Sequence, residues 1–155
     1  MEQVFDITTG IKIRKATPDD AGSLHLYCFP SDTLDEVEKK LKRDIEKMDR
    51  GEAYRMVAEL NGYAVGTMVI DFDKKNRKIA QISQLVVTGP LRGSATADKL
   101  VDMAADVARQ SNIEILQIEA NRSDGKIIEK YKSWGFVEKE TIILEKNISK
   151  GGKGS

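Results

Sequence analysis

The chain has 155 residues, enough for one ordinary domain with a sizeable core and little room for a second. Its 25 Lys and Arg balance 25 Asp and Glu, which argues against a globally basic nucleic-acid binder, and 40% hydrophobic content with three prolines argues against disorder. One cysteine, Cys28, and one histidine, His25, leave no disulfide framework and no Cys- or His-based metal cluster.

In chain order, residues 1–10 are weakly patterned and read as a loose arm, without the basic-then-apolar order of a signal peptide. Alternation over 11–16 predicts a short strand. Thr17-Pro18 then opens a helix, with Thr17 as cap and Pro18 at a position whose N–H is not needed; it should stop near Phe29-Pro30. Thr33 and Glu36 form a capping box for a second helix with the stripe Leu34, Val37, Leu41, Ile45 and Met48, ending before Gly51. Strands over 53–60 and 63–72 flank Asn61-Gly62, a strong hairpin signal, and a third strand covers 79–87. After a loop at 88–93 comes a helix over 96–110 that buries Ala97, Leu100, Val101, Ala104 and Ala108. The apolar run 113–120 reads as a central strand. Ser123 caps a short helix carrying Ile127, Tyr131 and Trp134, Gly135 ends it, and 136–144 gives a last strand. The piece 149–155, rich in Gly, Lys and Ser, reads as a flexible tail.

A strand meander followed by a strand–helix–strand crossover implies an α/β or α+β domain, with a mixed sheet and helices on its faces. No apolar run approaches the roughly 20 residues of a membrane span, so a soluble domain of a reducing compartment, the cytoplasm, is expected.

The most informative stretch is the turn from 85 to 97. Small residues from Gly93 to Ala97 leave the first-turn N–H groups of the following helix uncovered, and the helix dipole makes that end attractive to anions. Arg92 can add a charged fork to a phosphate. The turn is neither a Walker A loop, which needs a Lys-Ser/Thr pair, nor a three-glycine dinucleotide fingerprint. A pyrophosphate cradle and an ordinary packing turn both fit these residues.

Here the chain resembles the GNAT family of acyl-CoA-dependent N-acyltransferases. Arg92-Gly93-Ser94-Ala95-Thr96-Ala97 is similar to that family's Arg/Gln-x-x-Gly-x-Gly/Ala signature, with Ala95 in place of the usual glycine. Tyr131-Lys132-Ser133-Trp134-Gly135-Phe136 looks like its Tyr-x-x-x-Gly-Phe segment, and Leu85-Val86-Val87 fits its central strand. The order of elements agrees over 11–144.

The resemblance implies one GNAT-like domain over 1–148, with a mixed, mostly antiparallel twisted sheet and helices on both faces. It implies acetyl-CoA as co-substrate, with no metal, and an amine acceptor, either a small molecule or a peptide. The central strand and the next would splay apart around the pantetheine arm. Backbone groups of Leu85, Val86 and Val87 would bind that arm, and the amides of Arg92, Gly93, Ser94, Ala95, Thr96 and Ala97 would hold the pyrophosphate. Ala95 suits this role if its φ is negative. Asn121 falls near a cofactor-contacting Asn of the family, and as a turn residue it would be equally at home.

Tyr131 matches the general acid that protonates the departing thiolate, a fitting role for a phenol with a pKa near ~10; it also lies on the apolar helix face, as a core residue would. Many members carry a Glu base where this chain has Ser83. A water chain ending at Ser83 or Gln84, a carboxylate such as Asp71 or Asp73, or an acceptor that is itself a weakly basic amine are the alternatives, and the base stays unassigned. Acceptor recognition in the family falls on the connection 27–33 and the acidic Asp35, Glu36 and Glu38, which helix-start electrostatics and surface ion pairs (Asp35 with Lys39, Glu38 with Lys42) also explain. Cys28 reads as a small helix-end residue and His25 as packed or half-exposed. A non-catalytic acyl-CoA sensor with the same fold is the competing function, and a nucleotide-binding or nucleic-acid-binding domain using the same anion cradle is a third. Neither nucleic acid nor membrane is an expected partner of the leading reading. A homodimer is compatible with the resemblance.

Overall fold

Residues 10–149 are described by the computed structural model, and they fall into two compact units that meet at Asn121 and Arg122. The expected loose arm, except Gly10, and the expected tail, except Ser149, lie outside the described residues.

The first unit opens with β1 (Lys12–Lys15) and a 3-10 turn, Pro18–Asp20, that runs directly into α1 (Ala21–Tyr27). The helix expected at Thr17 therefore begins as a tighter turn. Thr17 is extended (φ −127°), and its N–H donates to the Asp20 carboxylate at 2.8 Å. Both Asp20 oxygens also accept from the Arg14 guanidinium of β1, at 2.7 and 2.8 Å. Burial alone would push the Asp20 carboxyl up, but the bonds from Arg14 and the Thr17 amide outweigh it and hold the group below its ordinary value.

Then follows α2 (Leu34–Asp49), closed by the expected reciprocal cap: Glu36 N–H donates to Thr33 Oγ1 at 3.1 Å and Thr33 N–H donates to Glu36 Oε1 at 3.2 Å. Val37, Leu41 and Met48 are buried, whereas Leu34, the first residue of the helix and expected in the stripe, is exposed.

Next come β2 (Ala53–Leu60), β3 (Tyr63–Phe72) and β4 (Ile79–Val87), each with the expected bounds. Asn61 and Gly62 both take positive φ, 52° and 87°, the twist that a two-residue hairpin loop requires. After a 3-10 turn at Gly89–Leu91 come α3 (Thr96–Gln110) and β5 (Ile115–Ile118). The sheet order is β1-β2-β3-β4-β5; the first four strands pair antiparallel and β5 pairs parallel to β4. The fold is thus α+β, with a mixed and mostly antiparallel sheet.

Helices cover both faces. Val57 and Ala64 join Leu24, Cys28, Val37 and Leu41 in a core under α1 and α2. On the other face Leu100 of α3 lies so close to Gly66 that an added Cβ would meet its Cδ1 at 3.4 Å and Ala58 Cβ at 3.3 Å. α3 buries Thr96, Leu100, Val101, Ala104 and Ala108, with the expected Ala97 only half-buried.

Two strand expectations change. The run 113–120 forms only four residues of strand, at the sheet edge rather than its centre, and Ile115 is half exposed. Residues 136–144 form no strand, and Val137, Ile143 and Leu144 are exposed. An apolar run gives strand propensity, but a strand exists only where a partner supplies the ladder.

The second unit holds α4 (Gly125–Ser133). Its cap is Asp124, whose carboxylate accepts from Ile127 N–H at 3.2 Å, rather than the expected Ser123. Gly135 ends it at φ 95°, as expected. No helix among the described residues is long and apolar enough to cross a membrane.

Candidate active site

Regular pairing breaks on β4. On its β3 side Val69 faces Ser83 and Thr67 faces Val86, so two steps on β3 answer three on β4. The extra residue lies at this bulge, where Gln84 takes a left-handed backbone, φ 51°. On the other side β4 pairs with β5 only from Ile79↔Ile115 to Ile82↔Ile118. Among the described residues, then, the β5-facing edge of 83–87 has no strand partner. Both strands are parallel and the ladder stops at their carboxyl ends, where ligands of open α/β sheets commonly sit.

From that end the chain enters the loop that the sequence singled out. Gly93 has φ 87°, a value that glycine supplies at no steric cost. Ala95 has φ −78°, which any L-residue accepts, so the alanine that departs from the family signature causes no backbone strain. Arg92 N–H donates to Gly89 O, Ser94 N–H to Leu91 O, and Thr96 N–H to Ser94 Oγ. Among the described residues no group accepts from the amides of Gly93, Ala95 or Ala97. With the fifteen-residue α3 behind them, these amides form a cradle suited to an anion, and the exposed Arg92 side chain flanks it. The Thr96 side chain is fully buried and shares a hydrogen bond with Ser94 Oγ at 2.9 Å, so these two residues brace the turn with their hydroxyls. Leu85, Val86 and Val87 lie on the unpaired edge, and exposed Asn121 follows the end of β5 by three residues.

Beside the bulge, Ser83 Oγ donates to Asp71 Oδ2 at 3.1 Å. Asp73 is occupied differently: its Oδ1 accepts from the amides of Asn76 and Lys75, and these bonds hold its carboxyl below the usual range. Of the two carboxylates considered as a base, Asp71 is the one that reaches Ser83. Gln84 is engaged by Arg55, whose guanidinium also meets Asp44 and Thr67. Sequence reasoning missed that network; its signal was a charged residue, Arg55, among the apolar residues of 53–58 in β2.

Around the α1–α2 connection, His25 Nε2 meets Asp32 O at 2.9 Å, and Lys40 pairs with Asp32 at 3.5 Å while lying over the Phe29 ring. Asp35 pairs with Lys39; Glu38 and Lys42 form no ion pair among the described residues. Cys28 is buried, and burial pushes its thiol up to about 11, which leaves it an unreactive neutral group near pH 7.

In the second unit Tyr131 stacks on Trp134, with ring centroids 5.6 Å apart, and lies 6.4 Å from Phe136. Burial, and then the charge of Asp124, raise its phenol above the ordinary tyrosine value. Among the described residues no group of His, Cys, Asp and Glu is placed to hold a metal.

The profile of the family described as acetyltransferase (GNAT) domain matches residues 17–150. The chain belongs to the GNAT acetyltransferase family. It is 29% identical over 150 residues to an uncharacterized N-acetyltransferase of Methanocaldococcus jannaschii, an alignment that takes in 90% of this chain and 66% of that protein. This GNAT chain therefore spans slightly less than two thirds of that relative. Its fold matches the crystal structure of glucosamine-6-phosphate N-acetyltransferase from Arabidopsis thaliana, with TM-score 0.67 and 18% identity over 90% of this chain and 99% of the other. It also matches AAC(6')-Iy in complex with the bisubstrate analog CoA-S-monomethyl-acetylneamine, with TM-score 0.74 and 12% identity over 90% and 99% of the two chains.

Proposed function

We propose that this chain is an N-acetyltransferase that moves an acetyl group from acetyl-CoA to a primary amine by direct attack in a ternary complex. The observation that carries the reading is an edge of 83–87 without a strand partner, leading into amides at Gly93, Ala95 and Ala97 without an acceptor, among the described residues. Pantetheine is a linear chain with two amides, able to pair with such an edge at Leu85, Val86 and Val87; a pyrophosphate suits the amides from Arg92 to Ala97. Asn121 is a further contact to the cofactor.

The chemistry needs a neutral amine, and a lysine-like amine at pKa ~10.4 is neutral only about once in 2,500 at pH 7. Asp71, through Ser83 and a water, takes the proton as the amine nitrogen bonds to the thioester carbon. A backbone N–H near Leu85 stabilises the negative charge that develops on the carbonyl oxygen. As the carbon–sulfur bond breaks, Tyr131 hands its proton to the thiolate. The acceptor is a small-molecule or peptide amine; the names of the two solved relatives above favour a small molecule. In this reading no metal takes part, and residues 1–148 act as one domain. The protein works in the cytoplasm, without nucleic acid or membrane as partner, and a homodimer is compatible with this reading.

Calorimetric titration with acetyl-CoA, with adenosine nucleotides as controls, tests the reading. Saturable binding that needs the pantetheine arm supports it, and thiol release across an amine panel then separates a transferase from a sensor. No binding of acetyl-CoA would sink both.

A further inference from the structure

The Arg55 side chain is 1% exposed, and a buried cation needs compensation that an apolar residue of similar volume would not. Its guanidinium reaches three other elements. Nε donates to Asp44 Oδ2 of α2 at 2.6 Å, Nη1 to Thr67 Oγ1 of β3 at 2.8 Å, and Nη2 to Gln84 Oε1 of β4 at 2.5 Å. Thr67 is itself fixed, because its hydroxyl donates to Met56 O at 2.8 Å. The guanidinium is thus held by two buried groups, Asp44 and Thr67, and presents its third side to one residue. That residue is exposed overall and has the left-handed backbone of the β4 bulge. An arginine offers only donors, so the glutamine must turn its oxygen inward, which fixes its side-chain orientation.

We propose that Arg55 is a positioning residue: anchored on Asp44 and Thr67, it grips the Gln84 side chain and so locks the left-handed backbone that ends the β4–β5 ladder after Ile82. The partnerless edge at 83–87 depends on this lock. What that edge binds rests on the acetyl-CoA reading above; the lock itself does not.

Removing Arg55 would strand the Asp44 charge in the interior and endanger folding, so the test is made at exposed Gln84. Gln84→Ala deletes the gripped oxygen and keeps Arg55, Asp44 and Thr67 intact. Gln84→Gly deletes it too but adopts positive φ freely. Acetyl-CoA affinity is measured by calorimetry and amide exchange at 83–87 by hydrogen–deuterium mass spectrometry, well below the melting temperature. The expected result is about tenfold weaker binding and about tenfold faster exchange in Gln84→Ala, a loss of about 1.4 kcal/mol in affinity, with Gln84→Gly recovering most of the binding. Equal values for Gln84→Ala and wild type, or a lower melting temperature alone, would overturn the proposal. So would a glycine variant as weak as the alanine one, since backbone conformation would then not be what the grip controls. If the wild type itself fails to bind acetyl-CoA, the function reading falls and exchange decides: faster exchange in Gln84→Ala supports the lock, and unchanged exchange refutes it.

Discussion

Ser83 puts a hydroxyl beside the bulge, and a hydroxyl alone cannot collect a proton from an ammonium group at neutral pH. Asp71, one strand away, gives it a carboxylate partner. Asp71→Asn is expected to lower kcat about 100-fold near pH 7 with KM for acetyl-CoA within about twofold, and the defect should shrink above about pH 9, where the amine deprotonates unaided. A pH–rate profile checks both halves. For Tyr131, burial and the nearby Asp124 keep the phenol protonated well past neutrality. Tyr131→Phe should therefore lower kcat about 100-fold without moving the calorimetric Kd for acetyl-CoA, and wild-type activity should show no alkaline limb from this group below about pH 10. At this scale the sequence was half legible. The loop proposed to hold an anion is contiguous, so its small residues and Arg92 could be read together from the sequence. Arg55 meets partners 11, 12 and 29 residues away, and no local pattern reports such a meeting.

Elements announced themselves wherever their cause was local. The Asn61-Gly62 hairpin, the Thr33–Glu36 cap and the stop at Gly135 each rest on a few adjacent residues and formed as read. The expected strand at 136–144 did not form, because its cause would be a partner strand that its own composition cannot supply. The join of β1 to the turn before α1 yields a prediction of this scale. Asp20 holds a depressed pKa in the folded state, so the stability it contributes is fully present above its unfolded value near 3.8. That contribution is lost as pH falls through the folded value. Asp20→Asn should accordingly cost about 1–3 kcal/mol at pH 7, the scale of a charged hydrogen bond with one partner removed. As pH falls from about 3.8 through the folded value the gap between variant and wild type should close, as a urea unfolding series taken from pH 7 downward would reveal.

The first unit is organised around a sheet whose β3–β4 pairing is interrupted at the β4 bulge and whose β4–β5 ladder stops beside it. The meander and the crossover followed from the sequence, because such units leave few topologies open, although β5 lies at an edge where a central strand was expected. The interruption did not, since a bulge is a property of two strands in register. Its consequence reaches past catalysis. A row of unanswered backbone groups inside a sheet invites any extended chain, including another protein's, to finish the ladder. A pantetheine arm seated there would act as a surrogate strand, and the architecture would be complete only with its substrate in place. The melting temperature should then rise with acetyl-CoA, by an amount equivalent to about 2.7 kcal/mol at a hundredfold excess over Kd. Adenosine diphosphate alone, filling the anion cradle but not the strand gap, should leave heat-induced clumping nearly as fast as in the bare protein. On that view the cell's acyl-CoA supply would double as this protein's chaperone.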